Sequence, residues 1–436
     1  HNILGFSHRT RGNMEDAIRE YGIALEYVRK DRKGLMDVHR AVVLNNLARA
    51  LSEVGWNALG VCLDGLELRR EQAEELPLAG SLNTLALLYD DMGRYEDAPL
   101  LAAKAIAYCR RANEDRQLGL ALRQMAESLR HVAERLDTGQ RVIGRPDDLY
   151  AIGSDLLEEA YKIFQSMDEQ ERLIEVNIEM GSLHRDQMRL TPEGKPPVGW
   201  QENYKSAQQV LDEAIRLAEQ RDFEQHIMDA RINQARIHYH ADRARLPKGD
   251  PQAVSRAIGV LKQIEASVGQ EYLIDEAMPD PTTQRNQNWI FRHLSTAQMV
   301  YGWIAMDRFQ AIVDRYKEKY PDDSDEHAEE RAKAVAKDQE ADRALKDAAT
   351  AYAMGIAYAE LYSPRSRSIG AIQNDLYSRL RKSNRYELES FGKQLKEVRQ
   401  EQPYLTTVAM LEAFLFEFFG PAIDEIPPTE QPSHAD

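Results

Sequence analysis

The chain is 436 residues long, 29% charged and only 8% aromatic, with 56 Lys and Arg against 72 Asp and Glu for a formal net charge of −16. That balance repels nucleic acid and anionic membrane, and no run reaches the roughly 18 to 20 apolar residues that cross a bilayer. Cys62 and Cys109 both fall in apolar helical segments, which predicts thiols acting as small core residues in a reducing compartment, the cytoplasm.

The first pattern lies at the start of the chain. Gly5, His8, Gly12, Ala17, Tyr21 and Ala24 recur as Ala86, Tyr89, Gly93, Ala98, Ala102 and Ala105, all at one common offset. Between them Ala48, Leu51, Gly55 and Gly60 continue the series, and Asp64 and Glu67 break it. Small residues at such places let two helices cross closely, because a larger side chain would hold the backbones apart. The glycines near 12, 55 and 93 tolerate the left-handed conformation that ends a first helix. A hairpin of this kind buries its apolar sides only by stacking on the next one, so the repeat predicts a solenoid.

These residues resemble the tetratricopeptide repeat, a helix-turn-helix unit of 34 residues. N-T-L-A-L-L-Y-D-D-M-G-R-Y-E-D-A-P-L-L-A-A-K-A-I-A-Y over 83–108 carries the likeness best. The spacings are longer here, 43 residues from Gly5 to Ala48 and 38 from Ala48 to Ala86, which is similar to the extended repeats of kinesin light chains and bacterial signalling ATPases. The resemblance implies an all-α fold, a right-handed α-solenoid of helical hairpins followed by a degenerate helical C-terminal region.

Clear repeats cover 1–110. Beyond them, L-L-E-E-A-Y-K-I-F around Ala160 and V-L-D-E-A-I-R-L-A around Ala214 repeat E-Y-G-I-A-L-E-Y-V around Ala24, so degenerate repeats are expected to 265. Their first helices fall near Ala126 to Ala133 and Ile178 to Met188. The segments 137–148 and 190–202 contain Gly and Pro and read as loops on one rim. Leu246 to Pro251 is a break, with Asp250 and Pro251 suited to open a helix through Ile264.

The region 266–419 is read as helical without clear repeats. Trp289 to Tyr320 is spaced like one long helix or a tight pair, and Asp322 to about Leu361 like a single long helix with a charged start. Further helix is expected over 366–400. Leu405 to Phe419 holds Leu411, Phe414, Leu415, Phe416, Phe418 and Phe419, more apolar area than one helix face needs. Burial within the chain, contact with another subunit or domain, and membrane association are the readings in play. Residues 420–436, proline-rich and acidic, read as a disordered tail.

Catalytic constellations are missing: there is no Walker-type loop, no G-x-G-x-x-G after a strand and no G-x-S-x-G elbow. His238 and His240 stand two apart and point to different sides of a helix. No enzyme activity, cofactor or metal is therefore expected. Arg365, Arg367, Arg379, Arg381, Lys382 and Arg385 cluster along the chain, either as a local basic patch or as a solvated helix face.

In tetratricopeptide repeats the concave face is built by first-helix residues three before, one after, and four or five after the conserved small position. Carried onto this chain, three before gives Asn2, Asn45, Asn83 and Arg123. One after gives Phe6, Arg49, Leu87 and Glu127. Four and five after give Arg9, Thr10, Ser52, Glu53, Asp90, Asp91, Arg130 and His131. Asp90 and Asp91 are expected as solvated groove carboxylates. Asparagine is a mediocre helix former, so its return at one register of three helices needs a reason. Either the amides bind the backbone of an extended ligand, or they bond across to the neighbouring helix.

The resemblance implies a non-catalytic sensor that captures a protein, peptide or other ligand in its groove and regulates an attached ATPase of the STAND type (signal transduction ATPases with numerous domains). The start at His1, inside a first helix, reads as a fragment of such a protein, with the ATPase core before it. A free-standing adaptor that holds a segment of a partner protein is the alternative.

Overall fold

The structure, a computed structural model, describes residues 1–11, 13–30, 36–72, 75–136, 145–190, 195–244, 251–274, 278–279, 289–320, 325–362, 367–381 and 383–420. Among them every regular element is helical. The chain divides into two compact units, 1–264 with 284–289, and 265–283 with 290–436.

Unit 1 is a run of antiparallel hairpins: α1 (Asn2–Thr10) with α2 (Met14–Arg29), α3 (Asp37–Glu53) with α4 (Leu59–Gln72), and α5 (Glu75–Asp91) with α6 (Ala98–Ala112). It continues through α7 (Asp115–Leu136), α8 (Pro146–Ser166), α9 (Gln170–Asp186), α10 (Trp200–Glu219), α11 (Glu224–Arg243) and α12 (Pro251–Ala266). Each odd-numbered helix from α1 to α11 touches the next odd-numbered one, whereas the even-numbered helices make no comparable row. The odd helices therefore form the inner layer, and function is sought there.

The repeating small positions have a direct cause. A methyl built on Gly5 would lie 2.6 Å from the Tyr21 ring, and one on Gly181 would lie 2.6 Å from Leu211, closer than carbon atoms approach. The same crossing thus recurs in the first and fifth hairpins, closed by glycine both times. Turns repeat as well. Asn13, Trp56 and Arg94 donate their backbone N–H to the carbonyls of His8, Leu51 and Tyr89 at 2.8 to 2.9 Å, with Gly55 and Gly93 at φ +73° and +71°. This is the six-to-one closure of a helix C-terminus that ends in left-handed backbone.

The second hairpin corrects the sequence register. Gly60, Asp64 and Glu67 are exposed, and Ala58, Cys62 and Gly65 take the buried places instead. Only two residues lie between Gly55 and Ala58, against four between Gly93 and Ala98. Asn57 accounts for the early start of α4, because its side-chain oxygen accepts the Leu59 N–H at 3.2 Å. The shift puts Cys62 in the core, where burial pushes its thiol up to about 12, and burial likewise raises Cys109 to about 11.

Helices α6, α8 and α10 end without glycine. Asn113, Asp168 and Asp222 adopt φ near +55°, which short polar side chains tolerate better than others. Glu114, Glu169 and Phe223 then close the ends on the carbonyls of Cys109, Phe164 and Ala218 at 3.0 to 3.1 Å.

Unit 2 contains α13 (Trp289–Lys319), α14 (Asp325–Ala336), α15 (Gln339–Tyr362), α16 (Arg367–Leu380), α17 (Arg385–Glu401) and α18 (Thr407–Phe419). The expected single helix from Asp322 to Leu361 is two: the Asp338 carboxylate accepts the Glu340 and Ala341 N–H groups at 2.8 and 3.2 Å and starts α15 afresh. The apolar, small-residue stretch of α15 is the centre of this unit and packs on α14, α16, α17 and α18. In α18, Val408, Leu411 and Leu415 are buried, while Phe416 and Phe418 are 48% and 52% exposed. Those two rings are thus not core, although the Tyr377 ring lies tilted against Phe418 and Phe419 at 4.8 and 5.6 Å between centres. Within the Arg-rich stretch, Arg379 is tied to Asp307 and Asp375 at 3.0 and 3.1 Å and Arg385 to Glu389 at 2.8 Å, as a paired helix face. Arg365, Lys382 and the tail 421–436 lie outside the described residues.

Candidate functional site

The inner layer of unit 1 holds a cavity of about 350 Å³ whose walls come from α1, α3, α4, α5, α7 and α9. Five of the expected groove residues meet in it: Phe6, Arg9, Asn45, Arg49 and Asn83. Phe6 is half exposed, and the Arg9 guanidinium sits 5.5 Å from its ring centre. Arg9 is also anchored to Glu53 at 2.7 Å.

The asparagines divide: one bonds across to the neighbouring helix and two do not. Asn2 accepts a bond from Asn46 Nδ2 at 3.0 Å, which ties α1 to α3. Asn45 and Asn83 do not tie helices together. Their Oδ1 atoms are buried with no hydrogen-bond partner, and both side chains line the cavity. A buried amide oxygen without a donor costs about 1 to 3 kcal/mol, so two of them side by side call for an incoming N–H.

Arg49 has an unusual setting. Burial, followed by the charge of Arg9, pushes its guanidinium down to about 10 despite the attraction of Glu53. It forms no hydrogen bond or close ion pair among the described residues, and its Nε is buried and unsatisfied.

The remaining expected residues serve other ends. Asp90 is only 5% exposed, a correction to its reading as a solvated carboxylate: Gln124 Nε2 donates to it at 2.8 Å and Ser128 Oγ donates to the same oxygen. Asp91 accepts from Ser52 Oγ of the preceding hairpin. Arg130 is buried between Glu179 at 2.6 Å and Asp186 at 2.9 Å, in a network that continues through Arg185, Arg189 and Glu134. Arg123 lies 3.6 Å from both Glu127 and Glu175. Leu87 is half-buried and lines no described cavity. Down the array the inner face thus changes from an open, donor-rich pocket to a closed ionic network.

Sequence reasoning missed Arg69, Arg116 and Arg172, which also line the cavity. Arg116 is ten residues before Ala126 and Arg172 nine before Gly181. A step of seven along an α-helix is nearly two turns, so Arg116 lies on the face of the minus-three position, one step further toward the N-terminus, whereas Arg172, six residues beyond that position, falls outside the register map. Arg69 comes from a second helix, and a map of first helices does not contain it.

One cluster of metal-ligand type occurs among the described residues, Glu171, Glu175 and His226. It suits a cation poorly. Arg172 binds Glu175 at 2.5 Å and Arg123 lies 3.6 Å from it, and these charges hold that carboxyl well below its usual range against the effect of burial. His238 is buried and His240 half-buried, and His238 Nδ1 lies 2.9 Å from the Tyr204 hydroxyl.

No protein-family model matches the chain, and no curated protein sequence matches it. Among solved structures, the BtubC (BKLC) chain from P. vanneervenii is similar at 15% identity and a TM-score of 0.39, over 61% of this chain and 98% of that one. The molecule is a helical-repeat protein.

Proposed function

We propose that this chain is a non-catalytic binding module, a right-handed superhelix of tetratricopeptide type whose inner face takes up an extended protein or peptide segment. The observation that carries this reading is the pair of buried, unsatisfied amide oxygens of Asn45 and Asn83 on neighbouring inner helices. Packed helices stand about 8 to 10 Å apart, and an extended chain rises about 3.3 Å per residue. Two such amides therefore match backbone groups about three residues apart, and an amide reads backbone without reading sequence.

The test is selection of displayed random peptides on the purified chain, followed by binding to the double variant Asn45→Ala, Asn83→Ala. Loss of two hydrogen bonds at about 0.5 to 1.5 kcal/mol each predicts roughly a tenfold drop in affinity with an unchanged melting temperature. Unchanged affinity, or a selection that enriches nothing, overturns the reading.

The resemblance to STAND sensors supports a further step, in which groove occupancy regulates an ATPase on the same polypeptide. ATP turnover of the natural full-length protein that responds to a selected peptide is the expected result. Turnover indifferent to that peptide, or absent, favours a free-standing adaptor.

A further inference from the structure

The cavity of unit 1 carries more cationic donor capacity than a peptide backbone uses. Arg9, Arg49, Arg69, Arg116 and Arg172 enter it from five different helices, with Glu114 as the acidic lining residue. Three of the arginines are matched to carboxylates: Arg9 to Glu53 at 2.7 Å, Arg116 to Glu169 at 2.5 Å and Arg172 to Glu175 at 2.5 Å. The other two are not. Arg69, 7% exposed, gives Nη1 to the Pro77 carbonyl and, at 2.9 Å, to the Ser81 hydroxyl, both neutral acceptors. Arg49 has no such partner.

Three of these guanidinium groups, those of Arg49, Arg69 and Arg172, hold their Nε–H buried with no acceptor. Unpaired donors on buried charged groups are costly, more so than on neutral ones. An anion rich in acceptors, seated in the cavity that these three residues line, would offer them the oxygens they lack. A carboxylate offers two oxygens, and a single guanidinium fork takes up both. A phosphoryl group offers three terminal oxygens and close to two charges near neutral pH.

We propose that this cavity is a binding site for a phosphomonoester dianion, held by Arg49 and Arg69 with Arg172 and Arg9 beside them. A volume of about 350 Å³ is more than a bare phosphate fills, so the phosphoryl group is carried by a larger moiety. The proposal stands independently of the peptide reading, because its groups are the arginines and not the Asn45 and Asn83 amides.

Calorimetric titration of the purified chain tests it with inorganic phosphate, a nucleoside 5′-monophosphate, the parent nucleoside, a phosphoserine peptide and acetate. Saturable one-site binding is expected for the phosphate-bearing probes and none for the nucleoside or acetate, and the tightest of the three names the carrier. Affinity is expected to fall several-fold from about pH 7.5 to about pH 5.5, as the second phosphate proton, with a pKa near 6, returns. Arg49→Gln is expected to lose at least tenfold in affinity without a lower melting temperature. Arg49→Lys, which keeps the charge but not the fork, is expected to lose less. The two readings separate on the same samples: Arg49→Gln is expected to lose more phosphate affinity than the Asn45→Ala, Asn83→Ala variant, whose larger loss is expected in peptide affinity. Absence of saturation at millimolar phosphomonoester, equal binding of acetate, or full affinity in Arg49→Gln overturns the proposal.

Discussion

Gln124 Nε2 donates to Asp90 Oδ2 across 2.8 Å, and this bond ties the C-terminal turn of α5 to the middle of α7. The Ser128 hydroxyl donates to the same oxygen. A carboxylate at a groove register has thereby become an internal strut, and its removal leaves the buried Gln124 amide without its acceptor, while Ser128 Oγ keeps the Gln124 carbonyl at 3.0 Å. Asp90→Ala is expected to destabilise unit 1 by about 2 to 4 kcal/mol, with peptide or phosphate affinity of the surviving folded protein unchanged. Chemical denaturation and titration of one sample read both quantities.

Arg130 is the cation between Glu179 and Asp186. Breaking a buried pair by removing one partner leaves the other charge uncompensated, so Arg130→Met is expected to cost about 3 to 5 kcal/mol. A variant that melts with the wild type would show that the pair is open to solvent.

Two glycines separate crossing from propensity. Gly181→Ala places a methyl against Leu211 at 2.6 Å and is expected to destabilise by about 1 to 3 kcal/mol. Gly22, inside α2 with nothing within 4 Å of its absent side chain, is the converse. Gly22→Ala is expected to stabilise by about 0.5 to 1 kcal/mol. Thermal melts of the pair should move in opposite directions.

His238 gives the array a pH dependence of definite sign. Burial and then the charge of Arg256 push its imidazole down to about 4 from 6.5. The unfolded chain therefore binds a proton between these values that the folded chain refuses, and stability contributed by the neutral form is lost as pH falls from about 6.5 toward 4. The loss amounts to roughly 3 kcal/mol at most. His238→Gln is expected to flatten the denaturation midpoint against pH across this window relative to wild type, and parallel curves would refute the assignment.

In α18 the phenylalanines and leucines divide the work. Leu411 is fully buried and Phe416 is 48% exposed. Leu411→Ala is expected to cost about 2 to 5 kcal/mol, and Phe416→Ala less than about 1 kcal/mol, as for surface sites. Urea denaturation of the two variants checks the ratio.

What the sequence disclosed follows from the strength of each constraint. Gly5 and Ala86 were legible because a close helix crossing rejects every larger side chain. The register of the second hairpin was not, because it depends on a turn two residues shorter, set by the side chain of Asn57. Left-handed ends at Asn113, Asp168 and Asp222 escaped a search keyed to glycine. The charged stretch from Asp322 read as one helix, and only the two bonds of Asp338 to backbone reveal a fresh helix start within it. At the site, Asn45 and Arg49 were found from register alone. Arg69 was not, since nothing in a second helix marks which residue reaches across to the inner face.

The cavity draws its walls from α1 through α9, and in a stacked array each hairpin contacts only its neighbours, so small rotations between them add along the row. A ligand that bridges Arg9 at one end and Arg172 at the other would fix the sum of those rotations. On the binding reading proposed above, the pocket would in this sense be a gauge of winding along unit 1.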